Sequence, residues 1–469
     1  MRSAPYTRRR LWWLVSLLLC AGCSSLATRK GFYEPITVDL QSGNFQAAVQ
    51  KIEAAKKENK FADKDRFLYY IDSGLAYSYA SQYDSGNQQL TLAEDAAEEL
   101  FTKSVSRAAA SLLLNDNVLE YAGEDYEILY TNLFKALNYL QLDRFDDAFV
   151  EIRRANLKLE LLEQKYADAA RELRRATTDD GQPVDLPYEA KKIRFHNDAF
   201  ARYLSMHLYA ADGLIDDARL DYDLLRDAFV SQSQVYNFSV PDVSFVSEEK
   251  AILSVVALAG LSPVKEPLNL RIRTDKDLDL VQVLYDGPGK EDQEYVHFPL
   301  AVSEDYYFKF AIPVIAQRPS FIHQVRVVVN GELIGELQLL EDIGQVAEET
   351  YEAKKSLILV RSVARAVSKG LAAHELKEDA DKKTENALAR WLKKAAIDVG
   401  TDILENADLR CSRLLPDRIL VGDFEVEPGT HTVTVEYVGS GGGVIHRETY
   451  PDVRVDRRAF NLVQSVSLN

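Results

Sequence analysis

The sequence predicts an α+β protein of more than one domain, with helical repeats in its N-terminal half and β-strands in its C-terminal half. Three observations carry this prediction. Apolar residues recur at helical spacing up to about residue 234. From about residue 247 the pattern changes to alternating and β-branched runs separated by turn residues. The length of 469 residues is also too great for one small core, which favours two or three domains.

Residues 1–22 have the zones of a secretory signal. Four arginines open this segment, Leu11–Leu19 form a short apolar core, and Ala21-Gly22 close it with small residues. A helix that spans a bilayer needs about 20 apolar residues, and this run is much shorter. A cleaved signal is therefore predicted.

The run Leu19-Cys20-Ala21-Gly22-Cys23 resembles the lipobox of bacterial lipoproteins, in which a cysteine after small residues receives diacylglycerol and becomes the mature N-terminus. Cys20 stands where that family usually has Leu. The resemblance implies lipidation of Cys23; ordinary cleavage near Ala21-Gly22 and an uncleaved membrane anchor are the alternatives. By resemblance to proteobacterial sorting, Ser24 rather than Asp after the cysteine implies the outer membrane, facing the periplasm, with the inner membrane and the cell surface left open. Residues 23–37 would then form a polar tether.

Charge and cysteine content narrow the classes of partner and site. The formal charge is −17, and loss of the four arginines in residues 1–22 makes it −21. Nucleic acid is an unsuitable partner for such an acidic chain, because phosphate binding needs basic patches. With Cys20 removed and Cys23 lipidated, Cys411 is left alone, which excludes an internal disulfide and a cysteine-rich zinc site. We expect Cys411 to be a small buried side chain rather than a nucleophile.

Residues 38–234 contain helical repeats. Four segments share one pattern, and they begin at Phe45, Tyr83, Phe145 and Ile215. In each segment a small residue lies three positions after the first residue, and apolar residues lie four and seven positions after the small one. The small residues are 38, 62 and 70 positions apart, so extra helix must fill the longer gaps. No clear helix is predicted before the first copy, because Pro35 and Thr37-Val38 interrupt the pattern.

The helix before each of the other copies repeats as well. In each of these three copies a tyrosine lies nine residues before the small residue of the repeat. The residue three positions before that tyrosine is itself small in two of the three copies. The residues concerned are Gly74, Tyr77, Ala136, Tyr139, Ala148, Tyr209, Ala218 and Tyr222. This pattern resembles the tetratricopeptide repeat, a pair of antiparallel helices. It implies an α-solenoid in which small residues allow close packing and aromatic rings fill the gaps; an irregular helical bundle is the alternative.

A β-sandwich-like domain is predicted for residues 247–344, with helices over residues 345–406 and further strands over 407–469 that extend the same domain. The Asn330-Gly331 pair predicts a hairpin turn. The predicted strands are Ile252–Leu258, Leu268–Arg273, Leu278–Tyr285, Tyr306–Ile312, His323–Val329, Glu332–Leu339, Ile419–Val426, Thr432–Val438, Ile445–Tyr450 and Leu462–Val466, and the two predicted amphipathic helices are Val346–Glu375 and Lys383–Glu405.

Several short segments in combination resemble a family of bacterial tetratricopeptide lipoproteins of about this length. They are the lipobox, the helical repeats, Ala259–Lys265, Arg318–Ser320, Ala407–Arg410, Leu415–Ile419 and Glu427–Thr430. One departure is Ala407-Asp408-Leu409-Arg410-Cys411, where the family has a run like Ala-Asp-Thr-Arg-Ser-Trp. The resemblance implies an architecture and a location, but no activity.

No catalytic residues, cofactor site or metal site are predicted. The seven histidines are scattered, and neither a nucleophile elbow, a phosphate loop nor a dinucleotide fingerprint is present. We therefore expect a non-enzymatic, membrane-anchored scaffold that holds a protein or peptide in its helical groove during envelope biogenesis, secretion or surface-structure assembly. Peptidoglycan is a second candidate partner. The alternatives are an envelope glycan hydrolase and a structural spacer attached to peptidoglycan.

Overall fold

The computed structural model of the protein describes residues 30–106, 119–174, 194–275, 277–278, 280–286, 289, 293–299, 307–355, 358–359, 362 and 407–469. The predicted signal, Cys23, and the helix predicted over Lys383–Glu405 lie outside these residues. So does most of the helix predicted over Val346–Glu375, of which residues 346–355 are helical. The α+β class is confirmed, since helices occupy the N-terminal half and strands the C-terminal half.

The described helices follow one another in antiparallel pairs joined by three-residue loops. They are α1 (Lys30–Gln41), α2 (Phe45–Lys57), α3 (Arg66–Tyr79), α4 (Tyr83–Ser106), α5 (Asp125–Gln141), α6 (Phe145–Arg174), α7 (Ala199–Ala211) and α8 (Ile215–Ser231). Helix α3 packs on α4, α5 on α6 and α7 on α8, and each pair contacts the next. Short loops favour this antiparallel arrangement of neighbours.

One turn recurs at the end of the first helix of every pair. Gly43, Ser81, Asp143 and Gly213 each have a positive φ, between 56° and 77°. In each turn the next backbone N–H donates to a carbonyl five residues earlier, as Arg144 N does to Tyr139 O at 2.9 Å. This is the hydrogen bond of a Schellman C-cap. Each turn precedes the small residue of its repeat by five positions, so the spacing found in the sequence is the spacing of the hairpins.

Helix α1 corrects one prediction. Pro35 lies inside this helix, which begins at Lys30, so residues 30–37 are not part of a tether and the first repeat does have a leading helix. Tyr33, Ile36 and Leu40 lie on one face of α1, and each is 1% exposed. Burial of that face outweighs the helix-breaking tendency of Pro35, as tertiary packing commonly outweighs local propensity.

Three mostly antiparallel sheets form the C-terminal half. The described strands are β1 (Ala251–Ala259), β2 (Val264–Asp275), β3 (Leu280–Tyr285), β4 (Glu294–Pro299), β5 (Tyr307–Ala316), β6 (Ile322–Val329), β7 (Glu332–Glu336), β8 (Gln338–Asp342), β9 (Arg418–Val426), β10 (Gly429–Gly439), β11 (Val444–Val455) and β12 (Asn461–Ser467). Their orders are β12-β1-β9-β8, β11-β10-β6-β7 and β4-β3-β2-β5. Only the β1–β12 pairing, among those described, is parallel.

Strand β1 is buried on both faces, which explains its unbroken apolar sequence. Leu253, Val255 and Ala257 share a hydrophobic cluster with the β6 and β10 side chains of the facing sheet. Val256 and Leu258 point the other way, into the cluster that contains the helices. Strand β1 therefore contributes to two hydrophobic clusters, one shared with the facing sheet and one shared with the helices.

The C-terminal strands return to the sheets built by the earlier strands, as predicted. Strands β9 and β12 flank β1, while β10 pairs with β6. Two details differ from the predictions. The predicted strand Glu332–Leu339 is divided at Leu337 into β7 and β8, which belong to different sheets. Strand β4 (Glu294–Pro299) was not predicted, because its short Tyr-Val-His-Phe run alternates weakly.

Candidate functional site

The small residues of the predicted repeats lie where helices approach most closely. Ala136, Ala148 and Ala218 are fully buried, and Gly74 is buried on α3. A Cβ at Gly74 would lie 2.7 Å from the Leu90 side chain of α4, so any larger residue would push the two helices apart. These residues are packing residues, as their spacing predicts.

The tyrosines of the repeats are partly buried against the helical core rather than enclosed by it. This holds for Tyr77, Tyr139, Tyr209 and Tyr222. Tyr209 on α7 lies with its ring 4.8 Å from that of Phe149 on α6, so it joins neighbouring pairs. Tyr139 has a second role, because part of its surface lines a cavity.

That cavity is a groove of about 350 Å³, open to solvent, between the second and third helical pairs. Helix α4 lines one side with Asp84, Asn87, Gln88, Thr91 and Leu92, and Tyr139 and Arg144 face them. The Arg144 guanidinium lies over the Tyr139 ring at 4.6 Å, a cation–π distance. The groove thus offers amide and hydroxyl groups, a half-exposed aromatic ring and one charge of each sign.

The floor of the groove is a buried amide network. Asn138 on α5 donates to Ser78 Oγ at 2.8 Å and to Asn87 Oδ1 at 3.0 Å. The Nδ2 of Asn87 has no hydrogen-bond partner although the residue is only 6% exposed. A Cβ at Gly86 would lie 2.8 Å from Ser78 Oγ, so glycine there is what allows α3 and α4 to meet at this network.

A buried ion network connects helices α4, α5 and α6. Lys135 Nζ on α5 lies 2.8 Å from Glu94 Oε2 on α4 and 2.9 Å from Glu151 Oε1 on α6. Burial alone would raise the pKa of Glu94, but Lys158 and Lys135 outweigh it and hold that pKa at about 2. Helices α4, α5 and α6 are thereby fixed relative to one another beneath the groove.

Four of the short segments that carry the resemblance lie together between the helices and the sheets: Ala259–Lys265, Arg318–Ser320, Ala407–Arg410 and Leu415–Ile419. Arg318 donates to Ser262 O at 2.6 Å and to Arg413 O at 2.8 Å. Ser262 N donates to Leu415 O at 2.9 Å, and Asp417 N donates to Ala259 O at 3.2 Å. We call this meeting of residues 259–265, 318–320 and 407–418 the junction.

The junction is tied to the helices by buried carboxylates. Arg410 binds Asp65 at 2.8 Å, and the Ser412 hydroxyl donates to Asp72 Oδ1 at 2.6 Å. Burial raises the pKa of Asp72 to about 6, against the lowering effect of the Ser412 and Tyr33 hydroxyls. Burial likewise raises the pKa of Glu127 to about 7.

Cys411 lies in the middle of the junction and is 1% exposed. Burial raises the pKa of its thiol, which disfavours the reactive thiolate. Both facts support the expectation that Cys411 is a packing residue.

The sequence analysis singled out Tyr139 as a repeat-packing residue and identified none of the groove residues opposite it. Asn87 directly follows the small residue of the weakest repeat copy, and Arg144 is the residue that closes the third recurring turn. Both could have been found from the repeat alignment. The Glu94–Lys135–Glu151 network could not, because its members lie far apart in sequence and their charges look like ordinary surface residues.

In the described part of the chain, no helix is both long and apolar enough to cross a membrane. Within the same residues, no group of three or more His, Cys, Asp or Glu side chains is placed to hold a metal ion. No protein-family model, curated protein or solved structure matches the chain. The function proposed below therefore rests on the groove and on the sequence of the N-terminus.

Proposed function

We propose that the protein is a lipid-anchored scaffold of the bacterial envelope that holds an extended segment of a partner protein in the groove between its second and third helical pairs. The helical pairs would form a tetratricopeptide-like solenoid, and the two sheets that share a core would form a β-sandwich behind it. The lipid on Cys23 would fix the assembly to the outer membrane, facing the periplasm. The role would be in envelope biogenesis, secretion or surface-structure assembly.

The groove is the observation that supports this proposal. Its side chains from α4 are mostly uncharged and polar, and the Gln88 amide and the Thr91 hydroxyl are exposed donors. An extended peptide supplies backbone carbonyls at regular intervals, which suit such donors. Asp84 and Arg144 contribute opposite charges, and Arg144 also pairs with Asp147 at 2.8 Å, so the lining has no excess of positive charge and favours a polar segment over a strongly acidic one. Leu92 and Tyr139 would contact its apolar side chains.

The location is supported by the N-terminus. Six residues separate Cys23 from Lys30, where the described chain begins. A lipid on Cys23 would hold the helical pairs next to the membrane surface. Two or three acyl chains give stable anchoring, at about 0.8 kcal/mol per buried methylene, which a body of charge −21 needs because it is repelled by anionic lipid.

Two measurements on envelope material test the proposal. Mass spectrometry of the mature N-terminus should show a diacylated or triacylated Cys23. Purification from detergent-solubilised envelopes should recover a stoichiometric protein partner with the wild type and lose it with Thr91→Trp, which fills the groove from an exposed position. Asp223→Trp is the matched control, because residue 223 on α8 is five residues after Ala218, as Thr91 is five residues after Gly86.

The outcomes separate the two parts of the proposal. An unmodified Cys23, or a mature chain that begins elsewhere, would contradict the anchor. Recovery of the same partner with Thr91→Trp as with the wild type, or recovery of no partner at all, would contradict the groove.

A further inference from the structure

One end of the sheet β11-β10-β6-β7 exposes three large apolar side chains. Phe321, which precedes β6, is 69% exposed, and Val444 and Ile445, which begin β11, are 43% and 44% exposed. We call these three residues the apolar tip. Side chains of this size are normally buried, and a cluster of them on a surface marks a contact site.

The three residues adjoin one another at the turn between β10 and β11. A Cβ at Gly439 would lie 3.1 Å from Ile445 Cγ2 and 3.6 Å from Phe321 O. The turn itself, residues 439–443, is closed by hydrogen bonds between Gly439 and both Gly442 and Gly443. A Cβ on any of Gly441–Gly443 would meet nothing within 4 Å. The tip therefore projects from the sheet with open space around its turn.

The charge around the tip differs from that of the rest of the chain. The protein contains 73 acidic residues and has a net charge of −17, yet residues 317–324 and 439–447 contain no Asp or Glu. His323 and His446 flank the apolar side chains, and Arg447 follows. Two acids lie next to these residues, but Glu436 is paired with Arg447, and Glu448 lies 3.7 Å from His446 Nε2. This end of the sheet would therefore repel an anionic lipid surface less than the rest of the body does.

The tip also lies near the start of the chain's described part. A Cβ at Gly43, in the turn after α1, would lie 3.9 Å from Cε1 of His446, the residue after Ile445. From that turn, α1 runs back over 12 residues, about 18 Å, to Lys30. The seven Cα–Cα steps from Cys23 to Lys30 can span at most about 24 Å. A lipid on Cys23 and the apolar tip can therefore reach the same bilayer.

We propose that the apolar tip inserts into the interface of the membrane that holds the Cys23 lipid, as a second and non-covalent contact. Phe321 and the two aliphatic side chains would enter the headgroup region, while the histidines and Arg447 would lie among the phosphates. The second contact would limit rotation about the lipid and hold the groove at a fixed height above the bilayer. This inference rests on the proposed lipid anchor.

The test reconstitutes the mature lipidated protein in vesicles of phosphatidylethanolamine and phosphatidylglycerol that contain lipid brominated near the glycerol end of its acyl chains. Phe321→Trp places a fluorophore at the tip. Leu333→Trp is the matched control, since Leu333 is 55% exposed on the same sheet but follows the hairpin turn at its opposite end. Wild-type protein, which keeps Trp391, is the blank. Because an interfacial side chain lies roughly 5–10 Å below the headgroups, we expect the emission of Phe321→Trp to fall about twofold.

Flotation with the vesicles, measured on the same samples, separates the anchor from the tip. Flotation with quenching of Phe321→Trp but not of Leu333→Trp supports the proposal. Flotation without quenching of Phe321→Trp overturns the tip contact and leaves the anchor intact. A blue-shifted Phe321→Trp emission that persists without lipid would mean that a second copy covers the tip, which also overturns the proposal. Failure to float would overturn both the anchor and the tip contact.

Discussion

At the scale of single residues, two glycines decide how closely helices α3, α4 and α5 approach. Gly74 faces Leu90, and Gly86 faces Ser78 and Asn138, all at distances that leave no room for a Cβ. The close approach brings the amide network under the groove and places Asn87 in its wall. Small side chains here therefore shape the candidate binding site without contacting a ligand.

Substitution of Gly74 tests this steric role. Gly74→Val should destabilise the helical part by roughly 1–3 kcal/mol, because the new methyl groups collide with Leu90. Gly31→Ala is the control: Gly31 lies in helix α1, and a Cβ there would meet nothing within 4 Å. We expect it to leave stability unchanged or to raise it by up to about 1 kcal/mol, since alanine favours the helix over glycine. Urea unfolding followed by far-ultraviolet circular dichroism measures both, and equal midpoints would contradict the role.

The sequence predicted these positions better than it predicted their polar neighbours. Spacing alone identifies Gly74, Ala136 and Ala148, because a helix face has a fixed period. It does not identify Lys135 as a buried cation, since its partners Glu94 and Glu151 are brought to it only by the packing of three helices.

At the scale of elements, the recurring turn sets the geometry of each helical pair. Two of the four described turns place glycine in the left-handed conformation, at Gly43 and Gly213, and two place a residue with a side chain there, Ser81 and Asp143. A side chain in this conformation costs roughly 1–2 kcal/mol. The cost at Ser81 is accepted in a turn that borders the groove.

Substitutions in two of these turns should change the free energy of unfolding in opposite directions. Gly213→Ala should lower the free energy of unfolding by about 1 kcal/mol, because alanine is strained at the positive φ of this turn. No steric clash adds to this effect, since nothing lies within 4 Å of the new Cβ. Ser81→Gly should gain a smaller amount, since glycine also loses more entropy on folding. Chemical unfolding measures both; a destabilised Ser81→Gly variant would show that the Ser81 side chain stabilises the turn.

Element boundaries were predictable where one periodicity ran uninterrupted. The Asn330-Gly331 hairpin was confirmed, because its turn residues both adopt positive φ. Helix α1 was missed, since Pro35 was weighed as a local breaker without the buried face of Tyr33, Ile36 and Leu40. The division of residues 332–339 between two sheets depends on partner strands distant in sequence, which no local pattern records.

At the scale of the whole molecule, the junction holds the helical part and the sheets together through buried carboxylates. Asp72 and Glu127 have pKa values raised to about 6 and about 7. The folded chain therefore binds protons that the unfolded chain releases at lower pH. The resulting stabilisation is complete below about pH 4 and is lost as the pH rises through 6 and 7.

The protein should consequently unfold at a higher urea concentration at pH 5 than at pH 8. Glu127→Gln should reduce the difference in unfolding free energy between pH 5 and pH 8 by about 2 kcal/mol, since it removes one buried titrating group. Asp223→Asn, at an exposed position on α8, is the control and should leave the dependence unchanged. A wild-type midpoint that rises from pH 5 to pH 8 would contradict the assignment of these groups.

The central claim, that the groove of the anchored protein holds a partner segment, is tested most directly by photo-crosslinking in living cells. A photoreactive amino acid replaces Gln88, which lines the groove, or Leu220, the equivalent exposed position on α8. We predict one discrete crosslinked product in the membrane fraction at position 88 and none at position 220. The product should be lost when Cys23→Ser releases the protein from the membrane. No product at position 88, or the same product at both positions, would contradict the claim.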